Sequence, residues 1–241
     1  MDAMHREQAS ALTKASIFNK LTSSTLGRLA AGTTELAVKR GSVVFGRGTN
    51  ATGIYVVVSG QLKLTLETPQ GAGHVVELVQ EGDSFGEAAL LANRPHLLTA
   101  TAVTDCALLH IGRQTLMTEL ERDLAFARQI IGTLSERLYG KTSELENVLF
   151  LKATGRVARF ILDRVHSDGG KSGLRVALPV SKGLIASHLN MTQEHFSRTL
   201  RELTLSGLIR VEGIMVDVID VDRLRKTAGL MPAPRYLQAA E

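Results

Sequence analysis

Glu194, Ser197 and Arg198 form a Glu-x-x-Ser-Arg sequence whose first and last residues stand four apart, on one face of any helix that carries them. These are residue types that read base edges. A guanidinium offers two parallel donors matched to O6 and N7 of guanine, and a carboxylate accepts from N4 of cytosine. Gln193 precedes them and is placed for the outermost base pair, while Thr192, Lys182 and Arg201 complete the candidate DNA-contacting set, the basic pair against phosphates. An isolated Glu-x-x-x-Arg is equally an ordinary surface ion pair. The elements that would hold these residues therefore matter.

A stretch from Ser181 to Leu189 begins with a capping residue and puts Leu184, Ile185 and Leu189 on one helical face. Asn190-Met191 makes a tight turn, since Asn tolerates the left-handed conformation. Thr192 then caps a second helix over residues 193–206, with Phe196, Leu200 and Leu203 inward, and small Ala186 lets the two helices cross closely. Residues 208–211 and 215–219 flank Glu212-Gly213 as a hairpin wing. A winged helix-turn-helix is expected. Upstream, Thr154 is placed to cap a helix with Val157, Phe160, Ile161 and Val165 inward, residues 167–173 form a loop, and 175–180 form a strand. Residues 151–229 hold 13 Lys and Arg against 8 Asp and Glu, whereas residues 1–150 hold 14 against 15. The basic excess sits beside the motif, as a polyanionic partner requires.

Residues 115–151 contain no proline and read as one long helix. Positions 124, 127, 131, 134, 138, 141, 145 and 148 are Leu, Ala, Ile, Leu, Leu, Lys, Leu and Val, alternately three and four apart. That period is a coiled-coil seam, and a second copy of the chain is the simplest way to cover it. Lys141 interrupts the seam. It either reaches a carboxylate such as Glu144 or faces an anionic ligand.

The N-terminal half is punctuated by glycines between β-rich runs at 42–45, 54–58, 61–66 and 74–79, which predicts an antiparallel roll or barrel, with residues 11–36 a helical lid. The fold class is α+β. Residues 1–115 make a sensing domain, 116–151 a dimerisation helix, 152–230 the reading domain, and 231–241 a tail. With 241 residues, 44% hydrophobic and 22% charged, the chain is not a disordered one. A single cysteine, Cys106, rules out a disulfide framework and a thiolate-held zinc or iron–sulfur centre. No apolar run reaches the roughly 20 residues of a membrane span, and the polar N-terminus has no secretion signal, so cytoplasmic residence is expected. A phosphate-binding glycine loop, a nucleophile elbow, metal-ligand spacing and paired acids are all missing, which argues against an enzyme.

Five motifs, Gly41-Ser-Val-Val-Phe-Gly-Arg-Gly48, Tyr55-Val-Val-Val-Ser-Gly60-Gln-Leu-Lys, Gly82-Asp-Ser-Phe-Gly-Glu87, Thr154-Gly-Arg156 and Glu194-x-x-Ser197-Arg198, together resemble the CRP/FNR family of bacterial transcription regulators over roughly residues 12–228. The resemblance implies a cyclic-nucleotide-binding-type β-roll, a dimerisation helix and a DNA-binding winged helix reading an inverted repeat like TTGAT-N4-ATCAA. It implies double-stranded DNA, a second copy, RNA polymerase and a small-molecule or gas effector as partners. It places the effector near Phe85, Gly86, Glu87, Leu97, Leu98, Leu124, Arg128 and Lys141, and the dimer on Leu124, Ala127, Ile131, Leu134, Leu138, Leu145 and Val148.

Departures from the family narrow the effector. In cAMP-binding members an Arg-Ser pair follows the Gly-Glu by ten residues and holds the phosphate; here Leu97-Leu98 stand there, so cAMP is disfavoured. A four-cysteine cluster, as in oxygen-sensing members, is impossible with one Cys. The nearest remaining subgroup is the DNR-like one, which responds to nitric oxide with haem as the proposed cofactor. His96 and His5 are then the candidate axial ligands, each otherwise an ordinary loop histidine. The alternative is a constitutive regulator, or one responding to a cyclic dinucleotide.

Overall fold

The computed structural model describes residues 3–67, 73–167, 174–178 and 181–230, the side chains of 3–7, 166 and 167 excepted. The predicted 167–173 loop therefore lies, but for Ser167, outside the described residues, as does the tail at 231–241. The chain divides into two compact units, Met1–Tyr139 and Gly140–Glu241.

The first unit opens with helices α1 (Ala3–Thr13) and α2 (Ser23–Ala31). Strands β1 (Thr33–Val38), β2 (Val43–Phe45), β3 (Gly53–Ser59), β4 (Gln61–Glu67), β5 (Gly73–Gln80) and β6 (Ser84–Phe85) follow. After them come helix α3 (Glu87–Leu91), strands β7 (Thr99–Ala102) and β8 (Cys106–Gly112), and helix α4 (Arg113–Arg122). Helix α5 (Leu124–Phe150) begins in this unit. Two four-stranded antiparallel sheets, ordered β1-β8-β3-β6 and β2-β7-β4-β5, make the predicted roll. Alternation along β3 and β8 serves two cores at once. Tyr55, Val57, Cys106 and Leu108 face the roll interior with Leu62, Val79 and Phe85. Ile54, Val56, Leu109 and Ile111 face the helices, meeting Leu12, Phe18, Leu29, Phe126 and Ile130.

Two helical expectations are corrected. Residues 11–36 are not one helix: Thr22 caps α2, its side chain accepting from Thr25 N, and Gly32 ends it where a Cβ would lie 2.0 Å from Thr115 Oγ1. Thr33 to Val38 then pair along β8 as an edge strand. Nor is 115–151 continuous. Asp123 adopts an extended conformation (φ −118, ψ 98), and its Oδ1 accepts from the backbone N–H groups of Ala125 and Phe126 at 3.0 and 3.1 Å. It is a cap directly ahead of the apolar period, held in place by Thr25, whose hydroxyl donates to Oδ2 at 2.6 Å.

The second unit contains helices α6 (Ala153–Ser167), α7 (Lys182–His188), α8 (Gln193–Leu205) and α9 (Val221–Thr227), with strands β9 (Arg175–Ala177), β10 (Ile209–Glu212) and β11 (Met215–Val218). Val157, Phe160, Ile161, Ile185, Phe196, Leu200, Leu203, Val216 and Leu224 form its core. The sheet runs β10-β11-β9, its outer face clamped by Arg175, which pairs with Glu212 and Asp217 at 3.1 Å each. Thr154 lies inside α6 rather than capping it, because the helix already starts at Ala153. Ser181 sits at the N-cap of α7 with no side-chain capping bond. The expected strand at 175–180 pairs along β11 to Ala177, Leu178 N–H adds a bond to Ile214 O at 2.7 Å, and residues 179 and 180 lie outside the described ones.

Candidate nucleic-acid interface and sensing site

The turn between α7 and α8 is built from local chemistry. Asn190 takes φ 53, Met191 N–H donates to Ala186 O at 2.9 Å, and Thr192 Oγ1 accepts from His195 N at 3.2 Å. Those bonds set the angle at which α8 leaves the turn. Phe196, Thr199, Leu200 and Leu203 are buried, which turns Gln193, Glu194, Ser197, Arg198 and Arg201 outward together, with Thr192 and Lys182 exposed nearby in sequence. Neither Glu194 nor Arg198 has an ion-pair partner among the described residues, so the two do not spend their charges on each other. Gln193 leans back: a Cβ on Gly183 would lie 2.9 Å from its Oε1.

Arg156 is a residue whose role the motif alone did not reveal. Its guanidinium donates to Leu189 O at 3.1 Å and Leu151 O at 3.0 Å, joining α6 to the end of α7. The adjacent Gly155 permits close approach to α9, where a Cβ would meet Thr227 O at 2.9 Å.

In the first unit, Gly86 takes φ 91 and delivers Glu87 inward at the start of α3. Glu87 is 4% exposed. Its Oε1 pairs with the Arg137 guanidinium of α5, which also donates to Ser84 Oγ at 2.9 Å. Glu87 Oε2 has no hydrogen-bond partner among the described residues. Arg137 was not among the sequence candidates. The available signal was a second stripe on the same helix, Phe126, Ile130 and Arg137, which lies against the seam and meets it at Leu134. Close by in sequence, burial raises the Asp83 carboxyl above its ordinary range.

An aromatic cluster lines the roll interior behind Gly86. His96 stacks on Phe45 with centroids 3.6 Å apart and an 8° tilt. Tyr55 stacks on Phe85 at 5.1 Å and meets His110 at 4.7 Å. Burial lowers the pKa of both histidines. The structure thus brings Phe85, Gly86, Glu87 and His96 together, with Leu98 packed on the same core. It does not bring Leu97, Leu124 or Arg128 to them: Leu97 is 67% and Leu124 64% exposed, and Arg128 is exposed. Lys141 belongs to the other unit and pairs with Glu144 at 3.1 Å.

Haem ligation by His96 does not fit this packing. An axial ligand must carry its ring nitrogen out against the iron of a bound macrocycle, whereas His96 is 4% exposed with one ring face on Phe45. The side chain of His5 lies outside the described residues. No group of three or more His, Cys, Asp or Glu among the described residues is arranged to hold a metal ion. Cys106 is buried beside Gln61 O and Thr104 O.

Along α5, Leu124, Ile131, Leu138 and Leu145, seven apart, are exposed large hydrophobes, and Val148 is exposed as well. Ala127 and Leu134 are half-buried, Leu134 against the core under α1 and α2. No helix among the described residues is long and apolar enough to cross a membrane.

Residues 35–123 match the model of the cyclic nucleotide-binding domain, and residues 155–227 match that of the Crp-like helix-turn-helix domain. The chain is 26% identical over 219 residues to the CRP-like cAMP-activated global transcriptional regulator of Mycobacterium tuberculosis, covering 90% of this chain and 98% of that one. Among solved structures, a regulatory protein from Silicibacter pomeroyi is 30% identical (TM-score 0.61), covering 93% of this chain and 99% of that one. DNR from Pseudomonas aeruginosa is 29% identical (TM-score 0.51), covering 94% and 100%.

Proposed function

Because the chain belongs to the CRP/FNR family of DNA-binding transcription regulators, we propose that it acts as a homodimer reading an inverted repeat like TTGAT-N4-ATCAA, under control of a small effector held at Glu87 in the roll. The observation that carries the reading is the outward face of α8, where Glu194, Ser197 and Arg198 stand exposed on a helix capped by Thr192. Arg198 donates to guanine O6 and N7, Glu194 accepts from cytosine N4 on a neighbouring pair, and Lys182 and Arg201 contact phosphates. The exposed heptad Leu124, Ile131, Leu138 and Leu145 supports the dimer, since a stripe of that length on a helix is covered most simply by its own copy.

The effector reading starts from Glu87 Oε2, a buried acceptor without a hydrogen-bond partner among the described residues. A hydroxyl or amine of the effector satisfies it, while the Phe45, Tyr55 and Phe85 rings supply apolar walls. The mycobacterial relative is cAMP-activated. In this chain Leu98 packs into the roll core and Leu97 turns to solvent, leaving a cyclic phosphate without the Arg-Ser pair the family uses, so cAMP stays disfavoured. The stacking of buried His96 on Phe45 leaves haem-based nitric oxide sensing without an axial ligand at that residue.

The test is an electrophoretic shift at one fixed salt concentration. A TTGAT-N4-ATCAA duplex is bound in preference to a scrambled duplex. Arg198→Ala weakens that preference by about 1–3 kcal/mol, and Glu194→Ala relaxes choice at the C·G position alone. Equal binding of both duplexes overturns the reading.

A further inference from the structure

The end of α5 and the start of the reading domain are fixed to one another. Leu151, one residue past α5, lays its side chain against two glycines. A Cβ on Gly155 of α6 would lie 3.3 Å from Leu151 Cβ, and one on Gly229, which has φ +68, would lie 2.9 Å from Leu151 Cδ2. The Leu151 carbonyl accepts from Arg156 at 3.0 Å, and its N–H continues the α5 ladder by donating to Asn147 O at 3.0 Å. Arg156 also donates to Leu189 O, at the end of α7. Rotation between α5 and α6 must break the Arg156 bond and unseat Leu151 from both glycines. The short link between the two helices is therefore a poor place for movement.

The first half of α5 is held as firmly. Phe126 and Ile130 are buried, Leu134 packs on the same core, and Arg137 joins Glu87 and Ser84. From Leu138 to Phe150 no residue is buried. Gly140 stands in that span, three residues after Arg137, and the division between the two compact units falls immediately before it. A glycine inside a helix weakens it through its backbone freedom, and a helix tolerates one most readily where the missing Cβ makes room for a neighbour. Gly140 makes room for none: a Cβ there would meet no described atom within 4 Å. Gly132 is equally open, but it lies between Ile130 and Leu134, whose packing holds the helix across it. Lys141, beside Gly140, occupies a seam position and pairs with Glu144 instead of offering an apolar side chain, so the proposed dimer grips the helix least at this point.

We propose that Gly140 is the joint at which α5 bends, and that the helix beyond it, Leu151, Arg156 and the reading domain move as one body. Arg156 is then a positioning residue. It keeps the α8 reading face at a fixed angle to the end of α5, while the change of angle that an effector selects is made in the middle of the helix. The joint serves any operator sequence and any effector.

The test is a spin-label distance measurement on the full chain in a Cys106→Ala background, with nitroxides at Gln114→Cys on α4 and Glu202→Cys on α8. Dilution with unlabelled protein restricts the reading to distances within one chain, and no DNA is present, so the result does not depend on the operator proposed above. Gly140→Ala should narrow the distance distribution by about half, whereas Gly132→Ala, the same chemical change two turns earlier, should leave its width as in the parent. Arg156→Met should broaden the distribution by adding a second joint, and Arg156→Lys, which retains a cationic donor, should return most of the parent width. Leu151→Ala loosens the same junction and replaces Arg156→Met if that variant does not fold. A width unchanged by Gly140→Ala, a width reduced equally by Gly132→Ala, or one that loosening the junction leaves unaltered overturns the assignment.

Discussion

Replacing Arg137 by methionine should open the roll where β6 meets β3. In the parent protein the Arg137 guanidinium holds the Glu87 carboxylate and the Ser84 hydroxyl together. Removing it leaves a carboxylate whose side chain is 6% exposed without a counter-charge, while Arg137 itself is 31% exposed. Breaking a buried ion pair from one side typically costs about 3–5 kcal/mol. Because the arginine side of this pair is open to water, the cost here should fall to about 2–3 kcal/mol. Methionine preserves the aliphatic stem, so lost packing adds little. Hydrogen exchange of Tyr55 and Phe85, which face each other across β3 and β6, should accelerate by about 30- to 150-fold, each factor of ten corresponding to about 1.4 kcal/mol. The double substitution Glu87→Gln with Arg137→Met should restore exchange to within about 1 kcal/mol of the parent, since the charge that made the single change costly is gone. Exchange in Arg137→Met within threefold of the parent, or a double variant no better than the single one, would refute the reasoning.

Thr192→Ala removes the acceptor for His195 N–H and should cost about 1 kcal/mol, read as faster exchange at the start of α8 and weaker binding to the inverted repeat. Gly60→Ala should lower the thermal midpoint sharply, by about 2 kcal/mol or more, because Gly60 has φ +91 and its new Cβ would lie 2.4 Å from Asp105 O. Asp123 carries a pH signature. The Thr25 hydroxyl, then the Phe126 N–H, hold its carboxyl below the ordinary carboxylate range. A folded pKa below the unfolded one gives stability that is complete above the unfolded value, about 3.9, and disappears as pH falls through the folded value. Urea midpoints of the parent and Asp123→Asn should therefore differ by a constant amount from pH 7 to 5 and converge at lower pH; a gap that widens on acidification would contradict the assignment.

The reading domain was legible because its determinants are local. Asn190 at a left-handed turn, Thr192 at a cap, and the three- and four-residue spacing of Phe196, Leu200 and Leu203 each act within a few residues, and all three hold in the structure. Strand runs were legible for the same reason, with 54–58, 61–66 and 74–79 falling inside β3, β4 and β5. Their pairing was not, since Leu36 meets Leu108 across a separation that no local pattern reports. The break at Asp123 escaped because the proline-free stretch reads as one helix and the apolar period begins only at the next residue, while the Asp123 cap is held in place by a hydrogen bond from Thr25, far away in the chain.

The sensing site shows a deeper limit. Counting forward from Glu87 finds residues near it in sequence, and of those Leu97 proved to point to solvent. The residue that does answer Glu87 comes from α5, fifty positions later. The heptad period of that helix points outward to a partner chain and says nothing of the face that carries Arg137. Both faces matter because they are adjacent: Arg137 directly precedes Leu138, which stands exposed in the heptad. A proposed effector bonded to Glu87 Oε2 would change the charge and position of the carboxylate that Arg137 holds through Oε1, and with it the restraint on the backbone that presents Leu138. The direction of that effect depends only on whether the effector binds better with Arg137 engaged or released. Dimer strength measured by sedimentation in the parent and in Arg137→Met should therefore differ; identical dissociation constants would mean that the inward and outward faces of α5 act independently.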